Sequence, residues 1–211
     1  MSSAEQPCFV SVDDYLAAEE FASTKSEYID GWVRAMSGGS VRHNIVKGNT
    51  FVCLSNQLRM KACRAFDSDM KIRIFNEATR KFYYTDVSVI CDQNGPTEVF
   101  QEHPVLLVEV LSRSTRAIDL DEKLEAYLSI ESLQAYLMFE QHKPMAIIMR
   151  RTGNGFLRET AEGQLAVVEL PKLMLKLPFS EIYDGVDFTA PAVHEPEMSY
   201  GQAAGSTERI E

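Results

Sequence analysis

PVLLVEVLSRSTRAIDLDEKLEAYLSIESLQAYLMFEQ, residues 104–141, is the stretch whose reading decides the fold. Its first third, PVLLVEVLS (104–112), is dense in apolar and β-branched residues, the composition of a strand buried on both faces. From Thr115 to about Ile130 the apolar positions change period: Leu120, Leu124, Tyr127 and Leu128 fall on one face of a helix. AYLMFEQ (135–141) then returns to a buried strand. A central sheet with a helix against it follows, and Glu109 stands in the middle of the first strand.

A second dense strand, FYYTDVSVIC (82–91), carries Asp86 in the same setting. An ionised carboxylate inside a buried strand is costly unless it is paired, hydrogen-bonded or bound to a cation. Two of them on consecutive strands of one sheet can face the same side and repel, and a divalent cation relieves that repulsion. Oxygen ligands of this kind suit Mg²⁺, which keeps several waters for substrate and nucleophile. The alternatives for each acid are an ion pair with Arg73, Arg113 or Lys123, a strand end open to water, or side chains on opposite faces that never meet. Lys123, on the helix after Glu109, can reach back toward the end of that strand; it can equally pair with Asp119 four residues earlier, in solvent.

Working outward, Ser11 caps a short helix to Glu20, with Asp13 and Asp14 in its first turn. SEYIDGWVRAMSGGS (26–40) reads as two extended segments about a tight turn at Asp30-Gly31. Ser40 caps a helix from Val41 to about Ala62. Met70–Phe75 alternates Met70, Ile72 and Ile74 with Lys71 and Arg73, as a half-buried strand does. Downstream, MAIIMRR (145–151), a turn at TGNG (152–155), two short strands near 156–160 and 164–168 and a short closing element complete an α/β (mixed α+β) domain over residues 1–190. Pro, Gly, Ala, Ser and Glu dominate residues 191–211, which read as a disordered acidic tail.

The net charge of −10 argues against a general nucleic-acid-binding surface. Much of that charge lies at the ends: residues 1–24 carry −5 and 192–211 carry −3, leaving −2 for the rest. No apolar run approaches the ~20 residues of a membrane span, and no export signal is evident, so a soluble cytoplasmic protein is expected. Cys8, Cys53, Cys63 and Cys91 have no zinc-site spacing; Cys53 and Cys91, inside apolar stretches, read as buried free thiols.

Three strings, SEYIDGWVRAMSGGSVRHN (26–44), YYTDVSVIC (83–91) and the opening stretch, together resemble the Uma-two family of bacterial restriction-endonuclease-like proteins, within the PD-(D/E)XK nuclease superfamily. The similarity spans about residues 11–186, and VEVLSRSTRAIDLDEKLEAY is its most distinctive block. It implies a restriction-endonuclease-like core, a central mixed sheet flanked by helices with additional antiparallel strands. Asp86 and Glu109 would be metal ligands for Mg²⁺ or Mn²⁺, and the backbone carbonyl of Val110 a third. The superfamily's usual lysine, two residues after the acid, is here Leu111; the family's lysine moves to the next helix, matching Lys123. Glu27 matches an acidic position that can complete the metal shell. Thr85 replaces the usual proline before the aspartate, and Arg113 replaces another.

His43, Arg116 and Gln141 also match family positions. His43 would contact phosphate or assist proton transfer, or be a surface residue at a helix start. Arg116 would contact phosphate or Asp119, and Gln141 would orient a water or end a strand. The implied reaction is metal-dependent hydrolysis of DNA phosphodiester bonds, with Lys123 positioning the attacking water; a homodimer follows only by superfamily analogy. Two rivals stand beside it: a nuclease-fold binding or scaffold module without catalysis, and a metal-dependent hydrolase of a small phosphate compound.

Overall fold

The computed structural model describes residues 9–36 and 38–189. The expected lead (1–8) and tail (191–211) lie outside the described residues.

The first helix, α1 (Val12–Glu20), is capped as the sequence predicts: the Ser11 side chain accepts from the amide of Asp14. The hairpin β1 (Ser26–Ile29) and β2 (Trp32–Ala35) turns on Asp30 and Gly31, with φ of 49° and 99°. Positive φ at both turn residues matches the strands' own twist. Ser40 caps α2 (Val41–Gln57) by accepting from the amide of His43, and the helix ends five residues before the expected Ala62. Then come β3 (Arg64–Asp67), β4 (Lys71–Phe75), β5 (Arg80–Tyr84), β6 (Val87–Ile90), β7 (Phe100–Gln101) and β8 (Pro104–Leu111). Two short helices, α3 (Arg116–Leu120) and α4 (Glu122–Leu128), lead to β9 (Ala135–Glu140), β10 (Met145–Thr152), β11 (Gly155–Glu162), β12 (Val167–Leu170), a 3-10 turn, β13 (Leu175–Pro178) and α5 (Phe179–Ile182).

The strands form a six-stranded mixed sheet, β11-β10-β9-β8-β6-β3, and a five-stranded one, β2-β1-β5-β4-β7, with β12 and β13 as a separate pair. In the larger sheet β8 and β9 run parallel, because α3 and α4 carry the chain back between them; its other pairs are antiparallel. Successive β8 side chains alternate faces. Leu106, Val108 and Val110 pack under α2, with Val46, Leu54, Leu58, Leu137 and Phe139. Leu107 and Leu111 point the other way, among Ala126 and Tyr127 of α4 and Tyr83, Tyr136 and Met138. Glu109 shares this second face. Tyr15, Tyr28, Phe82 and Phe100 form a smaller aromatic cluster that seats α1 on the five-stranded sheet.

Several expectations need correction. The strand expected over 82–91 is two strands in different sheets, broken at Thr85-Asp86. The backbone groups around the break bond to side chains: the Tyr84 carbonyl accepts from Lys123 Nζ at 3.0 Å, and the Asp86 amide donates to Glu109 Oε2 at 3.3 Å. The helix expected over 115–130 breaks at Asp121 (φ −128°, ψ −82°), just after the Asp119 carbonyl accepts the Tyr136 hydroxyl at 3.2 Å. Lys71, expected on the solvent face of β4, is buried with its ammonium 5.2 Å from the Tyr84 ring centre. Cys91 is not a free thiol but is bonded to Cys63, whereas Cys53 is buried and free. Antiparallel pairing of Arg64 with Ile90 brings the next residues on each strand, Cys63 and Cys91, together. β3 and β7 were not foreseen, and the expected 164–168 strand lies at 167–170.

Gly31 is the most constrained residue of the hairpin. Besides its positive φ, a Cβ there would lie 2.1 Å from the Phe9 ring. Gly31→Ala should therefore cost about 1–3 kcal/mol of unfolding free energy, seen as a lower urea midpoint with an unchanged slope.

Candidate active site

The register of the large sheet makes the site. Val87 pairs with Val108 across the antiparallel β6–β8 ladder, so the preceding residue on β6, Asp86, faces the following residue on β8, Glu109. The two are tied by reciprocal bonds: Asp86 N donates to Glu109 Oε2 at 3.3 Å, and Val110 N donates to Asp86 Oδ2 at 2.7 Å. Both carboxylates are buried, at 9% and 5% exposure, which rules out the open strand end for this pair.

Lys123 projects from α4 into this face at 5% exposure. Its ammonium lies 3.0 Å from Glu109 Oε1, 3.0 Å from Glu27 Oε1, 3.0 Å from the Tyr84 carbonyl and 3.7 Å from Asp119 Oδ1. The i, i+4 pair with Asp119 thus exists but is buried, not solvated. Asp119 also accepts from Thr115 Oγ1 at 2.7 Å, and the Tyr127 hydroxyl donates to Glu109 Oε1 at 3.3 Å. Tyr83, Tyr127 and Tyr136 stack edge-to-face beneath the cluster, excluding water from it.

Glu27 stands at the rim of the network. Its Oε2 accepts from Arg34 at 2.7 Å, and Arg34 also grips Glu122 through two bonds of 2.9 and 3.0 Å. Glu122 in turn accepts from the Tyr83 hydroxyl at 2.8 Å. Sequence reasoning missed Arg34 and Glu122. Arg34 had a signal: a two-residue turn at Asp30-Gly31 fixes the cross-strand pairing of Glu27 with Arg34, which is the pairing observed.

The surroundings push the two facing acids apart. Burial would raise the Asp86 carboxyl, but a bond from His43, the Val110 amide and the charge of Lys123 outweigh it and hold it below the usual range. Burial pushes Glu109 well above that range; Lys123 opposes the shift, while Asp119 and Asp86 add to it. Lys123 is held in its charged form by Glu109, Glu27 and Asp119, against its burial. Four buried carboxylates, those of Glu27, Asp86, Glu109 and Asp119, share the cations of Lys123 and Arg34, and burial pushes Asp119 up as it does Glu109, so the cluster resists carrying all four negative charges at once.

The donor set fits a hard, water-rich cation. Among the described residues no group of three or more acidic, histidine or cysteine side chains is placed to hold a metal ion, so protein side chains would supply at most two ligands. Asp86 and Glu109 supply two carboxylates, and a Mg²⁺-type site fills its remaining positions with water and backbone oxygen. Val110, expected to lend its carbonyl, uses its amide to fix Asp86.

Of the remaining expected residues, His43 is beside the acids: its Nε2 is 3.1 Å from Asp86 Oδ2, while its buried Nδ1 has no hydrogen-bond partner among the described residues. A Cβ on Gly39 would meet the His43 ring at 2.6 Å, so the glycine makes room for it. Gln141 is fully buried and accepts from Ser40 Oγ at 2.6 Å, locking the start of α2 to the end of β9. Arg116 touches neither Asp119 nor the acid pair; it bonds Glu140 Oε1 at 2.7 Å.

The family model Uma2, described as "Putative restriction endonuclease", matches residues 12–179. An uncharacterised protein of Synechocystis sp. is 33% identical over 183 residues, covering 85% of this chain and 94% of its own length. A second from the same organism is 34% identical over 131 residues, covering 61% and 73%. A crystal structure from Anabaena variabilis, titled as a "putative nuclease", superposes with a TM-score of 0.67 over 82% of this chain and 97% of its own, at 16% identity, and so supports the fold alone. No helix among the described residues is long and apolar enough to cross a membrane. The match over most of the chain shows that it belongs to the Uma2 family of restriction-endonuclease-type proteins, with the fold of a nuclease.

Proposed function

We propose that this chain is a Mg²⁺-dependent endonuclease that hydrolyses phosphodiester bonds in DNA, with its centre at Asp86 and Glu109. The observation that carries the reading is the facing of these two buried acids in register, with Lys123 bonded to the second. A protein folding for stability alone gains little from such a cluster, since buried charge is more often neutral or costly than stabilising.

Asp86 and Glu109 would hold the cation, with Mn²⁺ able to replace Mg²⁺. Bound there, it would polarise the phosphate and lower the pKa of a water to make the nucleophile. The chain's own groups do the rest. Val110 N–H and His43 fix the orientation of Asp86. Lys123 and Tyr127 fix Glu109, and the lysine offsets charge developing at phosphorus. Arg34 fixes Glu27, which in turn holds Lys123 from the far side.

Two variants separate chemistry from architecture. Asp86→Asn should abolish Mg²⁺-dependent nicking of plasmid DNA and lower the thermal midpoint modestly, because the His43, Val110 and Lys123 groups that hold this carboxylate ionised lose its charge. Cleavage at the wild-type rate would remove Asp86 from the mechanism. Lys123→Met should abolish cleavage and also cost about 3–5 kcal/mol of stability, since it leaves buried acids without their cation. A denaturant titration reads the second effect. Turnover of plasmid against that of a small generic phosphodiester distinguishes a nuclease from a hydrolase of small phosphate compounds.

A further inference from the structure

An acidic protein that binds a polyanion needs a local seat for it. A cleft of about 410 Å³ opens beside the acid pair, and Asp86 and His43 form part of its wall. Whatever fills this cleft therefore adjoins the reacting centre. Its other charged groups are both cationic, Lys25 and Lys47.

The two lysines come from distant parts of the chain and converge on one residue. Lys25 Nζ lies 2.8 Å from the Ser68 carbonyl, and Lys47 Nζ lies 3.3 Å from the Ser68 hydroxyl. Lys47 follows His43 by four residues on α2, so the helix presents both on one side. The neighbouring anion is Asp69, which is ion-paired to Lys25 while its own side chain is 78% exposed. An exposed carboxylate on a surface ammonium is weakly held and readily exchanged for another anion. Across the cleft a Cβ at Gly38 would meet nothing within 4 Å, so the chain there borders open space. Two ammonium groups and a hydroxyl are the donors that phosphate oxygens accept.

We propose that Lys25 and Lys47, gathered on Ser68, form a clamp for the backbone phosphate next to the scissile one, with Asp69 occupying the clamp until nucleic acid displaces it. The proposal rests on the phosphodiester-cleaving reading, and its test can fail separately. Binding of a duplex of about 20 base pairs is followed by fluorescence anisotropy with Ca²⁺ in place of Mg²⁺, over a series of salt concentrations. Each phosphate contact contributes about 0.9 to the slope of log affinity against log salt, so Lys25→Ala/Lys47→Ala should bind at least tenfold more weakly, with a slope shallower by about 1–2. Asp69→Asn should bind several-fold more tightly than wild type, a gain that misfolding does not produce. The reference is Glu169→Gln, which makes the same charge change at another exposed lysine pair, Glu169–Lys176, on β12 and β13.

A double variant with the wild-type slope, or an Asp69→Asn variant no tighter than Glu169→Gln, overturns the clamp while leaving the nuclease reading intact. A wild-type protein that neither binds duplex nor nicks plasmid overturns both.

Discussion

One ammonium group organises the molecule. Lys123 is buried where a cation is tolerated only because carboxylates and a carbonyl surround it, and each of those partners comes from a different part of the chain. Glu27 belongs to the β1–β2 hairpin, Tyr84 to the end of β5, Glu109 to β8 and Asp119 to the preceding helix. The hairpin, both sheets and the α3–α4 pair therefore share one electrostatic knot. Its desolvation cost is offset only if all partners are in place, which makes the site a consequence of the complete fold.

The apolar skeleton was legible in the sequence. The dense strands at 104–112 and 135–141, the capped helices at Ser11 and Ser40 and the Asp30-Gly31 turn all rest on local pattern, and local pattern suffices for them. Asp86, Glu109 and Lys123 were singled out because their charge conflicts with that pattern or because they match the family's motif. What sequence could not give was the break at Thr85-Asp86. FYYTDVSVIC is uniformly strand-forming, and only the competing bonds from Lys123 and to Glu109 interrupt it. The break at Asp121 has the same character: Tyr136, on a strand fourteen residues after it in sequence, bonds to the Asp119 carbonyl. The Cys63–Cys91 bond was missed because β3 itself was missed, and without that strand nothing sets the register of Arg64 against Ile90.

Charge is distributed with a purpose that the net value conceals. The interior is rich in acids and the cleft wall beside it carries two lysines, so in the proposed endonuclease a substrate phosphate would meet cations before it reached carboxylates. The acids alone would repel it; a divalent ion held between them would reverse that potential. Metal and nucleic acid are thus expected to reinforce one another's binding.

The break at Thr85-Asp86 also has a mechanical meaning. The five-stranded sheet hands the chain to the six-stranded one at this point, and the residue at the junction is an acid of the site. A sliding of one sheet against the other would leave the β6–β8 register whole but would draw Glu27 of the first sheet and Glu109 of the second apart across Lys123. The ammonium that these two carboxylates share is therefore a gauge of how the two sheets are aligned, and its contacts can be lost before either sheet unravels.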